Sequence, residues 1–389
     1  MTASPVVRRL TIDVPRRQVD DLQARLRATR CPDLPAGSGW EAGADPAWMQ
    51  HFCRYWCEEY NWYEHQELLN RLGQYVIHLH GDDVHFQHHR STHPDAIPLI
   101  LTHGWPSCFF EMSRILAPLA DPPNHRERRR QAFHVIVPSL PGFGYSSASN
   151  RPHDPLHVAQ RWIQLMDALG YERFAAHGGD FGAAVTGAIA ALVPERVIGI
   201  HLTAAGAAEP DRSLTAEELA WHSAFCDWRD REWGYLHLQR TKPNTPAFAL
   251  NDSPAGLAAW LLEKWWSWCD LGTNRLEDTV PIDTLATLVS IYWFTGTIGT
   301  SMWMYRHSFG AAQPPPVWYP SGFRLDVPAG ITAYREPIVP PQSLLWPHFD
   351  LRHYQKMDSG GHFPAIEQPE SLIDQIQTFF GELRRDGRP

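Results

Sequence analysis

Residues 177–185 read HGGDFGAAV, with three glycines set around an aspartate at position 180. The stretch follows a short apolar run, FAA (174–176), and leads into GAIAALV (187–193), an apolar run that stops at Pro194. Strand, sharp turn and helix are the expected local structure, because small neighbours let the chain pass through a strained turn that pushes the central side chain outward. The same turn sets the backbone N–H of Phe181 at the head of a helix, where unpaired donors and the helix dipole favour an anionic oxygen. A glycine-flanked aspartate alone is also what an ordinary turn uses to bond its own backbone. The apolar runs on both sides favour the exposed carboxylate.

Working outward, IPLILTHGW (97–105), FHVIVPSLPGFG (133–144) and RVIGIHLTA (196–204) are short, continuous apolar runs separated by helical patterns. Such runs predict buried parallel strands, hence an α/β fold with a mostly parallel central sheet flanked by helices. From 206 to about 325 the pattern turns helical and tryptophan-rich, and GITAYRE (330–336), LRHYQKMDSGGHF (351–363) and the helix PESLIDQIQTFFGEL (369–383) then resume the sheet pattern. Upstream, Val19, Leu22 and Leu26 lie at helical spacing, an aromatic-dense helical segment spans 46–72, and QYVIHLHGDDVHFQHHR (74–90) alternates as a hairpin does. The expected organisation is a helical and hairpin extension over 1–95, sheet core over 96–205, helical lid over 206–325 and returning core over 326–389.

Among 389 residues the net charge is −9, and RRLTIDVPRR (8–17) and RERRR (126–130) are too short and isolated for a nucleic-acid groove. No apolar run approaches the roughly 18 residues of a bilayer span, and arginines and prolines interrupt the N-terminus before a signal-like stretch forms. A cytoplasmic chain with no membrane partner is expected. The six cysteines are irregularly spaced and read as free thiols, and the histidines at 78, 80, 85, 88 and 89 straddle both faces of the hairpin. Neither a metal nor an organic cofactor is expected.

Two further stretches carry chemistry. LTHGWP (101–106) ends a strand where the backbone N–H of Trp105 can act as a second oxyanion donor, and SGGHFPAIEQPE (359–370) places His362 after two glycines late in the chain. Imidazole, with an ordinary pKa of about 6.5, is the usual base near neutrality. An acid must fix its tautomer; Glu336, just beyond a strand, ranks before Asp350, and Asp358, on the histidine's own expected strand, ranks below both. The order nucleophile, acid, histidine is that of the α/β-hydrolases.

NWYEHQELLN (61–70), HGWP (103–106), GGDFG (178–182), GYLHLQRTKPNTPAFALNDSPAGLAAWLLEKW (234–265), YWFTGTI (292–298) and GGHFPAIEQPE (360–370) follow one another in the order seen in one family. Over almost its whole length the chain resembles the epoxide hydrolases of the microsomal and juvenile-hormone type. That resemblance implies that Asp180 is the nucleophile, Glu336 the acid, His362 the base, and Tyr235 and Tyr305 the lid phenols holding the epoxide oxygen. It also implies a small-molecule epoxide and water as partners, a vicinal diol as product, and a covalent ester on Asp180. Trp233 and Trp303, in the lid, are expected to line an apolar pocket suited to an aryl epoxide. Related soluble bacterial members act in enediyne antibiotic biosynthesis, a role the resemblance extends here as an expectation, as is a homodimer.

No membrane anchor is expected before the N-terminal domain, a departure from the family pattern, as is Ser107-Cys108, where relatives usually have glycine and serine. The alternatives are a haloalkane dehalogenase-like hydrolase, which would need halide donors that Phe181 lacks, and a non-catalytic binding member of the fold.

Overall fold

The computed structural model describes residues 6–35, 37, 39–122, 130–149, 151–206, 212–310, 324–336 and 339–385, so most of the basic stretch 126–130 lies outside the described residues. The apolar runs form one nine-stranded sheet from β1 (Val7–Arg9), β2 (Gln74–Leu79), β3 (Asp82–His89), β4 (Ile97–Thr102), β5 (Phe133–Pro138), β6 (Phe174–Gly178), β7 (Val197–Leu202), β8 (Leu325–Ala333) and β9 (Phe349–Lys356), in the order β1-β2-β3-β5-β4-β6-β7-β8-β9. From β5 onward the pairing is parallel, whereas β1, β2 and β3 pair antiparallel with one another and β3 with β5. The continuously apolar β6 and β7 are buried along their whole length, as strands covered by helices on both faces must be.

The expected hairpin is thus no appendage: β2 and β3 extend the central sheet, because β3 offers its free edge to β5 in register from Phe86↔Pro138 to His89↔Val135. The β8 strand stops at Ala333 and β9 at Lys356. Glu336 stands just beyond its strand, as read from the sequence, whereas Asp358 and His362 are past the end of β9 and not on it. Gly360 and Gly361 follow the end of β9.

Between β7 and β8 the chain leaves the sheet to build the lid, whose described helices run from Ala216–Glu232 to Ile298–Phe309. The N-terminal helices are fastened to that lid by polar contacts made across buried aromatic surface. Trp56 Nε1 donates to Ser290 Oγ at 2.8 Å, Tyr60 Oη lies 3.0 Å from Thr287 Oγ1, and Trp48 Nε1 donates to Glu277 Oε2 at 2.8 Å. Trp40 stacks on Trp266 with centroids 5.1 Å apart and planes 5° from parallel. The lid is in turn tied to the core where Tyr292 Oη donates to the Ser107 carbonyl at 2.7 Å and Thr300 Oγ1 to the Gly142 carbonyl at 2.6 Å. Aromatic side chains at these positions bring large contact area and a polar tip together, which suits a seam that must be both tight and oriented.

Candidate active site

Asp180 sits between β6 and the helix Phe181–Leu192 with φ 50° and ψ −129°, a conformation that a non-glycine residue adopts only where its surroundings impose it. The imposing contacts come from close backbone approach. A Cβ on Gly182 would meet the Thr102 carbonyl oxygen at 1.9 Å, and one on Gly104 would meet the Asp180 carboxylate at 2.3 Å. Glycine at both places lets the end of β4 lie against the turn. There the backbone N–H of Trp105 donates to Asp180 Oδ1 at 3.0 Å, and Phe181 opens the helix as its first residue.

His362 comes from the loop that follows β9. Its Nε2 is 3.4 Å from Asp180 Oδ2 and its Nδ1 is 2.7 Å from Glu336 Oε2, with the three side chains 7%, 13% and 9% exposed. Burial alone would lower the imidazole pKa, but the Glu336 and Asp180 carboxylates outweigh it and hold His362 well above the ordinary histidine range. Asp350 is not brought to the imidazole; it pairs with Arg352 at 2.8 Å. Asp358 is exposed, in the loop past β9.

The imidazole is aimed by groups that sequence spacing did not reveal. The backbone N–H of His362 donates to the Trp268 carbonyl at 2.9 Å, and the Trp268 ring meets the imidazole edge-on at 4.9 Å. Glu367 draws in the N–H groups of Asp270, Gly361 and Phe363 at 2.8, 3.0 and 2.9 Å, tying the histidine loop to the end of the lid helix Pro254–Trp268. The only signal in the sequence is the short GGHFPAIE run (360–367), in which the carboxylate lies one helical turn past the histidine loop.

Tyr235 and Tyr305 meet above Asp180. The Trp105 ring stacks on Tyr235 at 5.0 Å with planes 6° from parallel and meets Tyr305 at 5.7 Å and 88°; Phe181 meets Tyr305 at 4.8 Å and 87°. The Tyr305 hydroxyl is buried, and the Tyr305 ring meets that of Tyr235 at 5.7 Å and 84°. Burial first, with the Asp180 charge adding to it, raises both phenols above their ordinary value, so both stay protonated donors.

The two expected pocket tryptophans are not brought to this cluster. Trp303 donates Nε1 to Asn244 Oδ1 at 3.0 Å and packs on His307, and Trp233 packs on Phe225 and Trp228 within the lid. Helical period put them on the lid but could not say which face meets the sheet. Trp105 and Trp268 take that place instead. Among the described residues no group of three His, Cys, Asp or Glu side chains could hold a metal ion, and no helix is long and apolar enough to cross a membrane.

Sheet order, lid insertion and the strained turn after β6 define an enzyme of the α/β-hydrolase fold. Comparison with known proteins narrows the class. A family model described as the epoxide hydrolase N terminus matches residues 7–112, and one for the α/β-hydrolase fold matches 97–256. Epoxide hydrolase 1 of Sus scrofa is 32% identical over 97% of this chain and 89% of its own length. A Stigmatella aurantiaca relative whose name also contains epoxide hydrolase is 36% identical over 96% of this chain and 84% of its own. The crystal structure of juvenile hormone epoxide hydrolase from Bombyx mori superposes with a TM-score of 0.84 at 30% identity, covering 98% of this chain and 94% of that one. The chain belongs to the epoxide hydrolase family.

Proposed function

We propose that the protein adds water to an apolar or aryl epoxide by way of an alkyl ester on Asp180. The observation that carries this reading is the line Glu336–His362–Asp180 closed from above by two protonated phenols. One Asp180 oxygen attacks an epoxide carbon, the C–O bond of the ring breaks, and Tyr235 or Tyr305 gives the departing oxygen its proton. The product of that step is an ester whose carbonyl belongs to the protein. Water then loses a proton to His362 Nε2 and attacks that carbonyl, with the Trp105 and Phe181 N–H groups as donors to the oxyanion. Collapse expels the diol and returns the carboxylate; of the two protons of the water, one passes by way of His362 to the departing diol oxygen and the other restores the phenol. The walls of Trp105, Trp268, Tyr235 and Phe181 suit an apolar or aromatic substituent. A place in antibiotic biosynthesis enters this proposal through the family resemblance.

A single turnover in heavy-oxygen water tests the route. Label is expected in the Asp180 carboxylate and not in the first diol released, because the diol takes its second oxygen from the protein; label passing straight into that diol would sink the ester. The phenols give a second measurement. Tyr235→Phe and Tyr305→Phe are each expected to lower kcat on an epoxide by about a hundredfold, the scale of losing one donor to a developing oxyanion. Turnover unaffected by both changes would count against the phenols as donors.

A further inference from the structure

Behind the Asp180–His362 pair lies a small cavity of about 10 Å³, the least room that accommodates one water. Its polar lining includes Asp180, His362, Ser107, Glu111 and Thr203. Two of these have no place in the chemistry described so far. Ser107 Oγ is buried beside the carboxyl of Glu111, a residue only 8% exposed. A buried carboxyl normally collects donors. Glu367, a few residues from His362, does so with three backbone N–H groups, whereas Glu111 has the Ser107 hydroxyl beside it.

We propose that Glu111 and Ser107 hold the hydrolytic water against Asp180, as positioning residues for the second step of the reaction. The inference rests on the ester reading given above. Water in this cavity can donate one O–H to His362 Nε2 and the other to Glu111, with Ser107 Oγ as a further contact, so that its lone pair faces the Asp180 carbonyl carbon. The proton taken by His362 goes to the departing alkoxide of the diol; Glu111 keeps no net proton through the cycle. Burial raises the Glu111 carboxyl to about 7, with Ser107 and the His362 charge opposing and Asp180 and Glu367 adding to the rise. Ser107 lines the cavity, while its carbonyl is already used by Tyr292.

The test separates the two steps by rapid quenching of Glu111→Gln during one turnover of an aryl epoxide, followed by mass measurement of the intact chain. Ester formation is expected within threefold of the native rate, and ester decay about tenfold to a hundredfold slower, as for a reactant displaced by a fraction of an ångström. Glu111→Asp should restore part of the decay rate, and Ser107→Ala should slow decay alone. Decay at the native rate in both Glu111→Gln and Ser107→Ala overturns the inference, as does equal slowing of formation and decay. Should Glu111→Gln not fold, Ser107→Ala decides by the same readout. His362→Gln run in parallel distinguishes the failures. Ester trapped there with normal decay in the cavity variants defeats only this inference; no ester there defeats the ester reading and this inference with it.

Discussion

Asp180→Asn is expected to abolish turnover of an epoxide, lowering kcat by about ten-thousand-fold or more, with ligand binding and thermal stability close to those of the native chain. The amide oxygen can still accept from the Trp105 N–H, so the 3.0 Å contact that orients the side chain survives. What is lost is the charge that makes the second oxygen a nucleophile. Asparagine is also among the non-glycine residues most tolerant of positive φ, so the turn at φ 50° should persist. A neighbouring effect follows: without one of its two carboxylates, His362 is held less strongly in its protonated form. Epoxide turnover measured beside binding of an unreactive apolar analogue separates the possibilities. Binding retained with turnover gone is what a nucleophile predicts, and turnover retained would remove Asp180 from the reaction.

The second large effect is expected from His362→Gln, which should convert the catalyst into a reagent that reacts once. Attack on the epoxide needs the Asp180 carboxylate and the phenols, none of which the change removes. Hydrolysis needs a base beside the ester, and glutamine is none. The intact chain should therefore gain the mass of one epoxide and keep it, with steady-state turnover lower by three orders of magnitude or more, on the order seen when one member of a catalytic group is removed. Electrostatics explain why the native imidazole works in this order. In the free protein Glu336 and Asp180 together hold it protonated, the wrong state for a base. Forming the ester neutralises Asp180, and the histidine pKa falls as that attraction disappears, while burial still favours the neutral ring. The base is thus made available by the step that creates its substrate. Native-like decay of the ester in His362→Gln would show that another group activates the water.

Much of this could be read before any coordinates. Period-2 alternation over 74–90 and the continuous apolar runs at 97, 133, 174 and 196 became β2 to β7, because strand burial is written in local composition. The glycines beside Asp180 marked a strained turn, since close approach to Thr102 leaves no space for a side chain. His362 could be singled out among 21 histidines only by its place late in the chain after two glycines.

Other features depend on separations that no local pattern encodes. Glu336, Asp350 and Asp358 were all plausible partners for His362 by position, and only the course of the loops beyond β8 and β9 brings one of them within 2.7 Å. Trp233 and Trp303 shared the composition expected of a pocket wall, yet the way the lid helices pack turns them elsewhere and presents Trp268 instead. The N-terminal strands joined the main sheet because β3 found the edge of β5, a pairing between residues some fifty positions apart. Local sequence determined which segments are strand, turn and helix, through backbone sterics and side-chain periodicity. Which side chains face Asp180 was decided by tertiary packing alone, because burial of the lid against the sheet selects one face of each helix over the others.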